Sequence, residues 1–135
     1  MDKIRIKNAL LLVLSVLLLL PFLDTGEVRL GGGFYYYDDG PCFIGYWKRG
    51  DSIQFTIPPE VLSYYNNRRI LIIKQRPQQY DNRMHSCYDY PNGRDSVYYW
   101  YIDKGNKEIN GPMLYSDMDS FLQNIHLEHK LKKLR

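Results

Sequence analysis

The stretch SVYYWYIDKGNKEINGP, residues 96–112, places four aromatics in succession, Tyr98, Tyr99, Trp100 and Tyr101. Read as a strand, it puts Val97, Tyr99 and Tyr101 on one face and Tyr98, Trp100 and Ile102 on the other. Both faces are apolar, which marks a strand covered on both sides rather than an edge, with Trp100 as a core anchor and the Tyr hydroxyls reaching the rim. Gly105-Asn106 supplies a turn, and residues 107–110 return as a short partner strand. Gly111-Pro112 ends that hairpin and opens the C-terminal segment.

Beyond it, Met118, Phe121, Leu122 and Ile125 recur at i, i+3, i+4 and i+7, the stripe of an amphipathic helix. Ser116 is the expected N-cap, with Asp117 and Asp119 in the first turn. Lys130, Lys132, Lys133 and Arg135 gather at the other end, which suits the helix dipole. Working back from the opening stretch, RRILIIKQ (68–75) is an apolar run between charges, a second central strand that Pro77 stops. FYYY (34–37) and CFIGYW (42–47) are β-prone runs separated by the turn formers Asp39-Gly40-Pro41. SIQFTI (52–57) alternates, with Ile53, Phe55 and Ile57 on one face. Pro59 with Glu60, Val61 and Leu62 starts a helical turn that Asn66-Asn67 closes. Gly31 to Gly33 form a flexible entry, and residues 78–95 have no period. The expected fold is α+β: an antiparallel β-sheet of about five to six strands with one C-terminal amphipathic helix packed on it.

A chain of 135 residues allows one domain. Its N-terminus opens with Lys3, Arg5 and Lys7, and then runs from Ala9 to Leu23 with Ser15 as the only polar side chain. A basic region followed by an apolar one is the pattern of a secretory leader. Fifteen such residues make a helix of roughly 22 Å, short of the roughly 30 Å hydrocarbon core. Residues 1–26 are therefore read as a signal peptide or an N-terminal membrane anchor, and residues 27–135 as a single small α+β domain. Either reading exports the domain, to the periplasm or to an anchored position facing outside the cytoplasm. Residues 1–26 carry three cations and two anions, so the overall +3 leaves +2 on the remainder. That is too weak a charge for nucleic acid.

Cys42 and Cys87 are the two cysteines, and in an oxidising compartment they are most simply one disulfide, the other reading being two separate thiols. A bridge closing a loop of about 46 residues would stabilise the fold by about 4 kcal/mol in the chain-entropy model. No catalytic set stands out. Asp38-Asp39 is turn chemistry, because successive strand residues face opposite ways. His126 and His129 lack the His-Glu-x-x-His pattern of a zinc protease. His85 and Cys87 lie close together but have no third orienting group. Arg49-Gly50-Asp51 reads as a turn. The expectation is no enzyme, no cofactor and no metal site.

RRILIIKQRP (68–77), SVYYWYIDK (96–104) and INGPMLYSDMDSFLQ (109–123) together resemble a family of small exported bacterial proteins of unknown function. The likeness rests on Ile72, Lys74, Gln75 and Pro77, then Tyr99, Trp100, Ile102, Asp103 and Lys104, then Gly111, Pro112 and Phe121, within residues 68–125. It implies export and a small mixed fold, without an activity. The lipid-acceptor cysteine that family leaders carry is missing here.

Two functions follow. The first is a small exported envelope protein, non-enzymatic, that binds an unknown protein partner or has a structural role, an immunity-like protein included. Membrane contact would come through the N-terminal segment if it is uncleaved. The second is a glycan- or small-ligand-binding module that uses aromatic faces, with Tyr35, Tyr37, Trp47 and Trp100 as contact residues.

Overall fold

The structure is a computed structural model that describes residues 6, 8–9, 11–15, 26–38, 40–48, 50, 54–79 and 82–134. It contains two antiparallel four-stranded meanders. The first runs β1 (Glu27–Gly31), β2 (Phe34–Tyr37), β3 (Phe43–Tyr46) and β4 (Gln54–Ile57), in that spatial order. The second runs β5 (Val61–Asn66), β6 (Ile70–Gln75), β7 (Tyr98–Asp103) and β8 (Glu108–Met113). The mixed α+β class holds, but eight strands in two sheets replace the expected five to six in one.

Two strands escaped the sequence reading. The segment from Val61 to Asn66 forms β5, not a helical turn. Its Val, Tyr and Tyr suit a pleated surface, and backbone pairing between Glu60 and Arg76 extends its ladder with β6. Likewise β1 pairs with β2 across Gly31 to Gly33, which form a tight turn and not a loose entry. At Gly33, φ is +89° and a Cβ would come within 2.7 Å of the Tyr46 ring, so only glycine fits.

The second sheet is the middle layer. On one side Leu71, Ile73, Trp100 and Ile102 share a core with Leu30, Phe34, Ile44 and Ile57 of the first sheet. On the other, Ile70, Ile72, Tyr99 and Tyr101 pack on Met118, Leu122, Leu131 and Leu134. That is why β7 is apolar on both faces, as the aromatic run implied. The register from Ile70↔Asp103 to Gln75↔Tyr98 keeps β6 and β7 in step along their whole length.

The C-terminal segment is not one helix. It divides into α2 (Tyr115–Asn124), α3 (Glu128–Leu131) and a 3-10 turn (Lys132–Leu134), with a short α1 (Asn82–His85) earlier in the chain. Ser116 is not the N-cap; Leu114 takes that position in an extended conformation with no side-chain cap. Nine residues separate Leu122 from Leu131, which in an unbroken helix of 3.6 residues per turn would point them roughly 180° apart. The break at His126, with φ of 58° and a Leu127 N–H bond to the Leu122 carbonyl, turns the chain. Leu131 and Leu134 thereby reach the core that holds Leu122. Each such buried leucine contributes about 1.5–3 kcal/mol.

Residues 1–26, where a signal peptide or anchor is expected, fall mostly outside the described residues. Among the described residues, no helix is long and apolar enough to cross a membrane.

Candidate functional site

Alternation along β2 and β3 sorts their aromatics into two groups. Phe34 and Tyr36 join the core, as do Ile44 and Tyr46. Tyr35, Tyr37 and Phe43 take the opposite face, and Trp47 follows them, its backbone N–H donating to the Gly33 carbonyl at 2.8 Å. The β2–β3 register sets Tyr37 opposite Phe43 and Tyr35 opposite Gly45, while β1 sets Arg29 opposite Tyr35 and Glu27 opposite Tyr37.

These side chains form one patch on the outer face of the first sheet. The rings of Tyr37 and Phe43 stack at 4.7 Å and 17°. Tyr35 and Tyr37 lie 6.4 Å apart with a 35° tilt. The Trp47 indole N–H donates to the Tyr37 hydroxyl at 3.0 Å, and Trp47 stays 44% exposed. Gly45, without a side chain of its own, is nonetheless buried beneath these neighbours. Burial raises the Tyr37 hydroxyl above its ordinary pKa, against the opposing pull of the Trp47 hydrogen bond. Glu27 and Arg29 border the patch and are exposed.

Three of the four expected contact aromatics, Tyr35, Tyr37 and Trp47, are therefore brought together, and the fourth is not. Trp100 is 1% exposed, deep between the sheets, with its indole N–H donating to Gln75 Oε1 at 2.7 Å. Phe43 was missed. Its signal was available, because pairing the two runs as a hairpin across the 39–41 turn sets Phe43 beside Tyr37.

Cys42 and Cys87, the expected disulfide pair, are separate thiols in this structure. Cys42 is half-buried, its thiol raised by burial and hydrogen-bonded with Tyr36 and Glu60, while Cys87 is exposed. Tyrosines tie this part of the chain to the sheets. Tyr88 donates to the Thr56 carbonyl at 3.0 Å and meets Trp100 edge-on at 5.1 Å. Tyr98 takes the Asn92 N–H and donates to the Gly93 carbonyl, both at 2.8 Å. Tyr90 lies 2.9 Å from Nδ1 of the buried His85. So Tyr88, Tyr90, Asn92 and Gly93 are pinned to the sheets by hydroxyls.

His85 is thus committed to packing while Cys87 faces solvent. His126 and His129 are exposed, as is Asp38. Asp39, Arg49 and Asp51 lie outside the described residues. Among the described residues, no three His, Cys, Asp or Glu side chains are placed to hold one metal ion. What the outer face offers is apolar area with a few hydroxyl and indole groups, suited to contact rather than to bond making.

Comparison with protein-family models, with curated proteins and with solved structures finds no match for this chain.

Proposed function

We propose that the protein is a small exported, non-enzymatic binding module that docks a protein partner on the outer face of its N-terminal sheet. The observation that carries this reading is the ring arrangement around Gly45. Tyr37 and Phe43 stack on each other, so each covers one ring face of its neighbour. Sugar recognition uses open ring faces, whereas rims and half-buried hydroxyls suit protein contacts, where Tyr and Trp are enriched. Loss of Trp100 to the core also removes one platform from the glycan reading. The basic region followed by an apolar run at residues 3–23 supports export, as does the resemblance to small exported bacterial proteins.

Electrophoresis of the full-length chain through gels containing soluble polysaccharides separates the two readings. Protein docking predicts unchanged mobility. Retardation that disappears in Trp47→Ala would establish the glycan reading instead.

A further inference from the structure

A cleft of about 410 Å³ opens between the two sheets, on the side where β4 ends one sheet and β8 ends the other. Phe34, Tyr46, Tyr88 and Trp100 supply its aromatic lining. Gln54 and Thr56 stand on the β4 side, and Ile109, 42% exposed, on the β8 side. The size is that of a small-molecule site.

Among the described residues, one charged side chain lines it, Lys107. Its backbone is left-handed, with φ of 63°, and its ammonium is held in place. Nζ donates to the Gly32 and Lys104 carbonyls and lies 5.5 Å from the centroids of both Phe34 and Tyr46. An ammonium has three N–H groups, so one remains after those two bonds. Lys104, close behind, is 5% exposed and donates to Leu30 O, Asn67 O and Asn66 Oδ1. Carbonyl and amide oxygens therefore surround two neighbouring cations. Among the described residues neither lysine has a carboxylate partner. The acids next to them in sequence are used elsewhere. Asp103 accepts the Gly105 N–H and faces Arg69 at 3.6 Å, and Glu108 accepts from Asn106 and Asn110. Burial, and then Lys107, push the Lys104 ammonium below its ordinary pKa, the mark of positive charge without a counter-ion.

We propose that this cleft binds an organic anion, a planar apolar group carrying a carboxylate, with the rings taking the body and Lys107 the charge. The site is separate from the docking face and does not depend on it.

Calorimetric titration of the full-length chain with 2-naphthoate and with its neutral counterpart 2-naphthalenemethanol tests this. The wild type should bind naphthoate about tenfold more tightly, the value of one charge-assisted hydrogen bond. Lys107→Gln should remove that preference. Because Lys107 also ties two turns together, Ile109→Glu serves as a second variant: it keeps Lys107, repels the anion and should spare the alcohol. Trp47→Ala, on the outer face, should change neither ligand. The proposal is overturned if naphthoate fails to saturate at millimolar concentration or if the wild type binds both probes equally. It is equally overturned if both Lys107→Gln and Ile109→Glu keep the preference for the anion.

Discussion

Trp100 donates its indole N–H to Gln75 Oε1 at 2.7 Å, and Gln75 in turn donates to the Pro58 carbonyl at 2.7 Å. Gln75 is fully buried at the end of β6, after four buried apolar residues and Lys74, so its amide has to be satisfied internally. Pro58 lies where the chain leaves β4 for the second sheet. One amide thus connects the central tryptophan to the crossover between sheets. Tyr90 continues the network, 3.5 Å from Gln75 and 2.9 Å from His85.

Gln75→Leu strands the Trp100 N–H and the Pro58 carbonyl in the interior, and should cost about 2–4 kcal/mol. Trp100→Phe in the Gln75→Leu background should cost less than it does alone, with a coupling of about 1 kcal/mol or more. Urea unfolding of the four chains measures this. Simple additivity would mean that the bond contributes no coupling of its own.

Gly111 approaches the face of Trp100 so closely that a Cβ would lie 2.8 Å from ring atom Cε3 and 2.9 Å from the Tyr99 carbonyl oxygen, at φ of +138°. Gly111→Ala should therefore destabilise by about 2–4 kcal/mol, from overpacking and backbone strain together. Gly40, at φ of +102° with open space around it, supplies the comparison. Gly40→Ala carries the backbone strain alone and should cost about 1 kcal/mol. Equal melting temperatures for the two variants would contradict the close approach.

How far the fold was legible follows from what each segment touches. β6 and β7 are buried on both faces, and their uninterrupted apolar runs announce it. β5 packs on one face and is half-exposed elsewhere, so Pro59 and the acid after it suggested a helix start that pairing with β6 overrides. The helix break at His126 is set by where Leu131 must land, which no local period encodes. Of the candidate site, the outward aromatics of β2 were readable from alternation. The burial of Trp100 followed from a strand apolar on both faces. The roles of Gln75 and Lys104 were not readable, because each is satisfied by groups distant in sequence. The tyrosine hydroxyls that tie Tyr88, Tyr90 and Asn92 to the sheets were likewise hidden, because their partners are set by the fold.

The two thiols should react very differently. Cys87 is exposed, while Cys42 is half-buried with its thiol raised by burial and held by Tyr36 and Glu60. In unreduced native protein a thiol reagent should label Cys87 promptly and Cys42 only slowly, because the thiolate is the reactive form. Failure to label either residue before reduction would show that they are bridged.

Alkaline stability should be limited by tyrosine. Burial lifts the Tyr90 hydroxyl from 10.0 to about 12, and it also raises Tyr36, Tyr64 and Tyr88. A raised value means that the stabilising contribution is complete below pH 10 and is lost as the pH climbs through the folded-state value. Lys104, lowered chiefly by burial, works in the opposite sense, as one group against several. Urea midpoints should therefore fall steadily above pH 10, and less steeply in Tyr90→Phe. Native tyrosines that all ionise together near 10 would exclude this account.

The central claim is the docking face, and photocrosslinking tests it most directly. A benzophenone side chain placed at Arg29, opposite Tyr35 on the outer face, is compared with one at Gln123 on the exposed side of α2, in full-length protein in intact cells. The account predicts a discrete protein adduct from position 29 that disappears when Tyr35 and Trp47 are changed to alanine, with no such adduct from position 123. No protein adduct from position 29, or the same adduct from both positions, would contradict it.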